Sequence, residues 1–272
     1  MRSHTSSKGD APRGAENLQE KKNAGELRGK KRTPKRSSTI QGRRQKRRIE
    51  RSIRAQAVSM ENMTAIHGKP IVAFDLELAG TFPDDIIEIG AIRLQEGTDR
   101  VAVFHELIRP RTFINQTVRK MTGLDKEDFK GKESLPDILP AFLRFVGDDA
   151  VVLGHAVGDN DILSINLALA RIARTTGQRR RFCPPYMDTV RLAKKLLPKD
   201  TKKFNLEILL QRFGWKARQK HRALDDAIGA YLLFQCLLDA TPQGLVPFPN
   251  LFSSTEGKTL VRERFEPIDI GS

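Results

Sequence analysis

The sequence has few of the residues that hold small secreted or membrane-embedded proteins together. Of its 272 residues only two are cysteines, Cys183 and Cys236. These are too few for a disulfide framework or a four-thiolate zinc site, and they fit a reducing compartment. No stretch approaches the roughly 18 consecutive apolar residues that a membrane-spanning helix needs, and the N-terminal region has no apolar segment typical of signal peptides. We therefore expect a cytoplasmic protein, or a nuclear one in a eukaryote, with no membrane attachment.

Acidic residues are outnumbered by basic ones, and the imbalance is concentrated at one end of the chain. The formal net charge is +15. Residues 1–68 hold 18 Lys and Arg against 6 Asp and Glu and contain no aromatic residue, so this basic arm is predicted to be disordered in isolation. It is interpreted either as a solubilising or targeting tail or as an arm that binds nucleic-acid phosphates. Residues 45–60 are predicted to become helical on contact with a partner.

The centre of the chain, residues 69–240, carries alternating strand and helix patterns. Apolar runs predict strands at 71–74, 86–94, 101–108 and 150–153. Helical periodicity predicts helices at 135–145, 162–172, 189–197, 206–213 and 224–238. Three strands followed by alternating helices and strands indicate an α/β fold with antiparallel first strands. Residues 241–272 contain four prolines and no clear period, which predicts an irregular tail.

Two acidic residues end the first predicted strand. Asp75 and Glu77 are two positions apart, so on a strand both side chains leave the same face. Two carboxylates on one face repel each other unless a cation lies between them. Taken alone, the pair also fits a strand that simply ends in solvent.

A second group of polar residues joins a predicted strand to a predicted helix. His155 opens this segment, and Asp159, Asn160 and Asp161 close it. Asp and Asn are common helix caps, but three in a row exceed what one helix needs. Asp161 lies one turn before Ile165 on the apolar stripe, so it is the better candidate to face the first two acids, with Asp159 as the alternative.

The third group precedes and begins the last predicted helix. Asp226 lies on the same stripe as Ala230, Leu233 and Leu237, and an acid on a core stripe is costly unless it is paired or binds a metal. His221 lies in the preceding loop, where it either folds over the same site or is a satisfied loop histidine. Four acids from three elements and one histidine suit hard divalent cations, and two such ions can support phosphoryl transfer.

The order of these groups resembles the DEDDh, or DnaQ-like, family of 3′–5′ exonucleases from about residue 71 to residue 238. An Asp-x-Glu motif is followed by an Asp after a Gly-His turn and then by His-x(4)-Asp. The strongest pieces of the resemblance are Phe74-Asp75-Leu76-Glu77, Ile86-Ile87-Glu88-Ile89-Gly90-Ala91, Met121-Thr122-Gly123-Leu124 and His221-Arg222-Ala223-Leu224-Asp225-Asp226-Ala227. Two family-like segments lie between them, Asp188-Thr189 and Asn205-Leu206 to Phe213-Gly214. The resemblance implies a ribonuclease-H-like mixed sheet with flanking helices. The second motif departs from the family pattern, because Asn160 holds the place of the usual Asp and Asp161 follows one residue later.

The resemblance also implies residue roles. Asp75, Glu77, Asp161 and Asp226 are expected to hold two divalent cations, Mg²⁺ or Mn²⁺, and His221 to take a proton from the attacking water. The expected substrate contacts are Leu78, Ala79 and His155. Glu88 is expected to be structural or to support the metal ligands indirectly.

The sequence is compatible with several functions. The substrate is expected to be the 3′ end of single-stranded DNA or RNA, released as nucleoside 5′-monophosphates. Alternatives are a proofreading subunit that depends on a polymerase, an RNA-trimming enzyme, and an inactive nucleic-acid-binding protein. Association with the nucleoid is a further expectation.

The C-terminal tail carries a short segment that allows two interpretations. Residues 243–248 resemble peptides that dock on bacterial sliding clamps. The alternative is that Phe248, Leu251 and Phe252 fold back over an apolar patch of the central domain.

Overall fold

The computed structural model describes residues 37–98, 100–219, 221–241 and 248–270. Within these residues the elements in chain order are α1 (Ser37–Arg54), a 3₁₀ helix (Met60–Ile66), β1 (Ile71–Leu78), β2 (Ile86–Leu94), β3 (Val101–Leu107), α2 (Gln116–Thr122), α3 (Leu135–Val146), β4 (Val151–Gly154), α4 (Asp161–Thr176), β5 (Tyr186–Asp188), α5 (Thr189–Leu196), α6 (Leu206–Arg212), β6 (Trp215–Ala217), α7 (Ala223–Asp239), a second 3₁₀ helix (Leu251–Ser253), α8 (Thr255–Arg264) and β7 (Phe265–Pro267). No helix of this part of the chain is long and apolar enough to cross a membrane.

Five strands form one mixed sheet in the order β3-β2-β1-β4-β5. The strands β1, β2 and β3 pair antiparallel, whereas β4 runs parallel to β1 and β5 runs parallel to β4. The predicted α/β class and the antiparallel first strands are therefore confirmed. The ends of β1 and β4, which precede the acidic segments, lie at the same edge of the sheet because the two strands are parallel neighbours.

Helices cover both faces of the sheet, and the alternation along β1 divides its side chains between them. Val72 and Phe74 join an apolar cluster with residues of α3 and α4. Ile71 and Ala73 join a second cluster with residues of α5, α6 and α7. Asp75 and Glu77 continue the second alternation, so their side chains leave the sheet on the side that α7 covers.

The predicted strand and helix bounds agree with the structure to within a few residues across the centre of the chain. The β2 bounds coincide with the prediction, and α7 differs from it by one residue at each end. The helix α2 and the three-residue strands β5, β6 and β7 were not predicted. They are short, and an apolar period cannot be recognised over so few residues.

The basic arm differs from the prediction where the structure describes it. Residues 37–54 form α1, which packs along α4. Ile53 of α1 is only 1% exposed and belongs to the same apolar cluster as α3 and α4, and burying such a side chain contributes about 1.5–3 kcal/mol. Ile53, together with the partly buried Ile49 one turn earlier, therefore anchors a helix that composition alone assigns to disorder. Residues 1–36 lie outside the described residues.

The C-terminal segment also differs from the irregular tail that was predicted. Within 248–270 the chain forms α8 and the strand β7, which pairs antiparallel with β6. Phe248 packs against Phe234 with ring centroids 5.4 Å apart, Phe252 stacks on Trp215 at 5.9 Å, and Leu251 is fully buried. These contacts match the fold-back interpretation. Residues 243–247 of the clamp-like segment lie outside the described residues.

Candidate active site

The antiparallel pairing of β1 with β2 positions the first two acids. Asp75 lies opposite Gly90, and Glu77 lies opposite Glu88. The register shifts between Glu77 and Leu78, so regular pairing ends directly after the Asp-x-Glu motif. The two carboxylates therefore lie at the C-terminal end of β1, where its regular pairing with β2 stops.

Gly90 allows the N-terminus of α7 to reach the sheet at this point. A Cβ atom built on Gly90 would lie 2.0 Å from the backbone nitrogen of Leu224 and 2.2 Å from the carbonyl carbon of Ala223. No side chain fits in that space, so backbone packs directly on backbone. Because Gly90 lies opposite Asp75, this contact brings the start of α7 over the first acid.

The start of α7 carries the third group of residues to β1. Ligand atoms of Glu77, His221 and Asp226 all lie within 4.8 Å of one another, and all three side chains are half-buried. His221 adopts a φ of 54°, a conformation that is uncommon for a non-glycine residue. The chain thus turns sharply before α7, and this turn returns the histidine to the acids, as the sequence predicted.

Asp161 and Asp159 lie in different environments. Asp161 is 6% exposed, and burial, followed by the charge of Glu77, raises the pKa of its carboxylate. Asp159 is exposed and forms ion pairs with Arg54 at 3.8 Å and with Arg191 at 3.7 Å. Asp161, the first residue of α4, therefore lies beside Asp75 and Glu77, whereas Asp159 does not.

The four acids form one electrostatic cluster. Burial raises the pKa of Asp75 well above its usual value, and the charges of Asp161, Asp226 and Glu77 raise it further. Burial and the charge of Asp226 raise the pKa of Glu77 to about 8. Burial, followed by neighbouring acids, raises the pKa of Asp226 to about 7, and burial also raises that of Asp161. Burial and the charges of neighbouring acids therefore raise the pKa of all four carboxyl groups, and a divalent cation bound among them would offset these charges.

Glu88 behaves differently because it has two cationic or hydrogen-bonding partners. It is fully buried, its carboxylate lies 2.6 Å from Nε2 of His105, and Nε and Nη2 of Arg222 donate to it at 3.2 and 3.0 Å. Burial alone would raise the pKa of Glu88, but the contacts with His105 and Arg222 outweigh it and hold the pKa below its usual value. Glu88 thus fixes Arg222, the residue directly after His221.

Two of the three residues expected to contact the substrate, His155 and Ala79, already use their hydrogen-bonding groups within the protein. Nε2 of His155 donates to the carbonyl of Phe204 at 2.7 Å, and Nδ1 lies 2.8 Å from Oγ1 of Thr189. Burial lowers the pKa of His155. Ala79 is fully buried and both of its backbone groups are hydrogen-bonded within the protein. The substrate-contact prediction for these two residues therefore finds no support, whereas Leu78 is half-buried.

The donor set fits hard divalent cations. Carboxylate oxygens of Glu77 and Asp226 converge with an imidazole nitrogen of His221. The charges of Glu77, Asp226 and the buried Asp161 all raise the pKa of the half-buried Asp75. Carboxylate oxygens are preferred ligands of Mg²⁺ and Mn²⁺. The raised pKa values are also the response expected of such ligands when no cation compensates their charges.

Sequence reasoning did not assign roles to Gly90 and Arg222. Both lie inside the family-like segments, and Gly90 lies in the interior of a predicted strand, which is a signal of close backbone approach. The role of Arg222 depends on a partner 134 positions away, which no local pattern shows.

The fold and this cluster define the class of nucleases with a ribonuclease-H-like fold. A family model described as exonuclease, RNase_T, matches residues 72–234. The chain therefore belongs to the exonuclease family, in its DnaQ-like, DEDDh group. This agrees with the resemblance read from the motifs.

Individual relatives are similar over the same region. The chain is 35% identical over 162 residues to the DNA polymerase III subunit epsilon of Aquifex aeolicus, covering 57% of this chain and 74% of that protein. It is 33% identical over 171 residues to a PolC-type DNA polymerase III of Thermotoga petrophila, covering 62% of this chain but only 11% of the polymerase.

Solved structures share the fold at lower identity. A full-length 3′-exonuclease matches with a TM-score of 0.52 at 16% identity, covering 64% of this chain and 61% of that one. E. coli Exonuclease I in complex with a dA16 oligonucleotide matches with a TM-score of 0.51 at 16% identity, covering 64% and 42%.

Proposed function

We propose that this chain is a 3′–5′ exonuclease that requires two divalent cations, Mg²⁺ or Mn²⁺, and releases nucleoside 5′-monophosphates from single-stranded DNA or RNA ends. The observation that carries the proposal is the convergence of Glu77, His221 and Asp226 within 4.8 Å at the end of β1 that also holds the half-buried Asp75 and the buried Asp161. Membership of the exonuclease family supports the same chemistry.

In this proposal Asp75, Glu77, Asp161 and Asp226 hold the cations. When bound, the cations would neutralise charge on the scissile phosphate and make a water molecule easier to deprotonate. The carboxylates orient the site because each comes from a packed element, two from β1 and one each from α4 and α7. Asp161 takes the third position in place of Asp159, which is exposed and ion-paired elsewhere.

His221 is proposed as the general base. Its ring lies within 4.8 Å of ligand atoms of Glu77 and Asp226, so it can reach a proton on water held at this cluster. The neighbouring Arg222 is fixed by Glu88, which limits the movement of the turn that carries the histidine. Leu78 is half-buried where the regular pairing of β1 ends, and we propose that it contacts the terminal nucleotide.

The direct test uses oligonucleotides labelled at the 5′ end, one DNA and one RNA of the same sequence, with Mg²⁺ or Mn²⁺. Progressive shortening of the labelled strand is expected, and Asp226→Asn should abolish it. The matched control is Asp225→Asn, since Asp225 is the adjacent acid but pairs with Arg264 at 2.9 Å. Intact substrates with wild-type protein would favour an inactive nucleic-acid-binding protein instead. Cleavage inside the strand would contradict exonuclease activity.

The variant His221→Ala tests the general-base role of His221 independently of the proposed metal ligands. The rate should fall by about 10²–10⁴-fold and be partly restored by added imidazole. An unchanged rate, or metal binding that is lost along with activity, would exclude the general-base role.

A second candidate is a proofreading subunit that works with a polymerase in the cytoplasm or nucleoid. The observation in its favour is the 35% identity to the polymerase III epsilon subunit. Strong stimulation of hydrolysis by a replicative polymerase subunit is then expected, whereas equal rates with and without that subunit would contradict it.

A further inference from the structure

A basic groove lies outside the carboxylate cluster, between α1, α4 and the loop after α4. Its volume is about 780 Å³. It is lined by six arginines, namely Arg44, Arg48, Arg174, Arg179, Arg180 and Arg181, and by no acidic residue. The arginines come from three separate segments that meet only in the folded chain.

These arginines carry charge that the protein itself does not compensate. None of the six forms an ion pair with an acid among the described residues, whereas Arg54 of α1 pairs with Asp159 and Arg171 of α4 pairs with Asp84. All six side chains are exposed. A concave surface with several uncompensated arginines attracts a polyanion, and Arg is especially suited to phosphate oxygens.

The groove is aligned with the catalytic end of α4. Arg54, at the end of α1, pairs with Asp159 just before α4 begins, whereas Arg44 and Arg48 line the groove beside Ala170 and Arg174. The two helices therefore run antiparallel, and the arginine row of α1 leads away from the site that contains Asp161.

Positions along α4 give the separation, measured along the helix axis, between the groove and Asp161 at the start of the helix. The lining residues of α4 run from Asn166 to Arg174, which at 1.5 Å per residue lie about 8–20 Å from Asp161 along the helix axis. At about 3.4 Å per nucleotide in a stacked strand, that distance corresponds to about two to six nucleotides.

We propose that this groove binds the phosphodiester backbone of the substrate strand a few nucleotides before its 3′ end. The inference rests on the proposed exonuclease function and adds to it a second contact region, which holds the strand while the terminal nucleotide occupies the carboxylate cluster. DNA and RNA share this backbone, so the groove does not by itself select between them.

Two double variants, one from each wall of the groove, test the proposal: Arg44→Gln with Arg48→Gln on α1, and Arg179→Gln with Arg180→Gln on the loop. The matched control is Lys258→Gln with Arg262→Gln, which removes the same charge from exposed positions four residues apart on α8. That helix packs in the apolar cluster on the opposite face of the sheet. Glutamine keeps helix propensity close to that of arginine, and melting temperatures verify that each variant is folded.

Binding is measured by fluorescence anisotropy with single-stranded DNA and RNA of about 30 nucleotides, at several salt concentrations, in full-length protein carrying Asp226→Asn. Each groove variant should bind about tenfold more weakly, and the slope of log K against log salt should fall by about 1.4 for two lost phosphate contacts. The control should bind like the parent. Unchanged affinity and salt slope in both groove variants, or an equal loss in the control, would overturn the proposal.

Hydrolysis distinguishes failure of the groove from failure of the proposed function. In the otherwise wild-type chain, the groove variants should lose about tenfold in the ratio of kcat/KM for the long substrate to kcat/KM for a trinucleotide, which does not span the groove. An unchanged ratio in an active enzyme would overturn the groove alone. Salt-dependent binding through the groove in a protein that hydrolyses nothing would support the groove and refute the exonuclease. A loss confined to DNA or to RNA would contradict recognition through the backbone that the two share.

Discussion

Replacing Gly90 with alanine perturbs the contact that brings α7 to the first strand. The added Cβ would lie 2.0 Å from the backbone nitrogen of Leu224, whereas ordinary contact begins at 3.4 Å. The start of α7 must therefore retreat by the difference, about 1.4 Å, because backbone atoms cannot rotate away as side-chain ends do. Overpacking of this kind costs about 1–3 kcal/mol, which lowers the melting temperature of a domain of this size by about 2–12 °C.

This displacement of α7 should reduce the activity of Gly90→Ala by more than the loss of folding stability explains. Asp226 and His221 move with the start of α7, and a displacement of about 1 Å in catalytic groups can cost about a hundredfold in rate. We expect Gly90→Ala to lower kcat by about that factor, measured on a labelled oligonucleotide with Mg²⁺ well below the lower melting temperature. Calorimetry or circular dichroism then verifies that the variant is folded during the assay.

Gly229→Ala is the matched control, since Gly229 lies on the same helix. Its Cβ would meet the ring edge of Phe265 at 3.1 Å and a methyl group of Leu210 at 3.3 Å, and both are side-chain ends that can shift. This variant should keep kcat within about threefold of wild type whatever its effect on stability. A Gly90→Ala protein with wild-type kcat, even at reduced stability, would refute the positioning role of Gly90.

Three further outcomes follow from the site. Asp161→Asn should lower kcat by at least about a hundredfold and Asp159→Asn by less than about threefold, because only Asp161 is buried beside β1. In metal-free protein the melting temperature should fall by several degrees as pH rises from about 4, the ordinary range of carboxyl pKa values, to about 8, and should then level off. Glu77 and Asp226 bind protons more tightly in the folded state than in the unfolded chain, since their pKa values are raised to about 8 and about 7, so their contribution to stability is present at acid pH and is lost as they ionise. Added Mg²⁺ should restore the melting temperature most at the alkaline end, where the ligands are deprotonated. Glu88→Gln should lower kcat about tenfold and alter the pH–rate profile with little change in KM, since the arginine beside the general base loses its charged partner.

Specific results would contradict each of these expectations. Equal losses in the two aspartate variants would return Asp159 to the site. A metal-free melting temperature that stays constant or rises between acid and alkaline pH would contradict the raised pKa values of the acids. Wild-type kcat and pH–rate profile in Glu88→Gln would leave Glu88 as a buried ion-pair residue with no influence on His221.

The fold was predictable where the sequence has long, regular patterns. The nine-residue strand β2 and the seventeen-residue helix α7, both mostly apolar, were located to within a residue, because elements of this length carry enough apolar residues for the pattern to be recognised. The helix α1 was not predicted as a folded element, since its composition is that of a disordered segment and its attachment depends on Ile53 meeting a cluster built by α3 and α4.

The sequence by itself determined the class of protein and the acids and histidine of the candidate site. The Asp-x-Glu pair lies at the end of a strand, and an acid heads an apolar helix; both positions are costly without a cation, and that cost is visible in the sequence. Only the tertiary structure shows Asp161 buried and Asp159 exposed in ion pairs, joins Glu88 to Arg222, and engages His155 and the backbone of Ala79 in hydrogen bonds within the protein. Those features depend on which side chains meet across elements far apart in the chain, and hydrogen-bond partners and close approaches such as Gly90 on Leu224 are fixed by packing and not by local pattern.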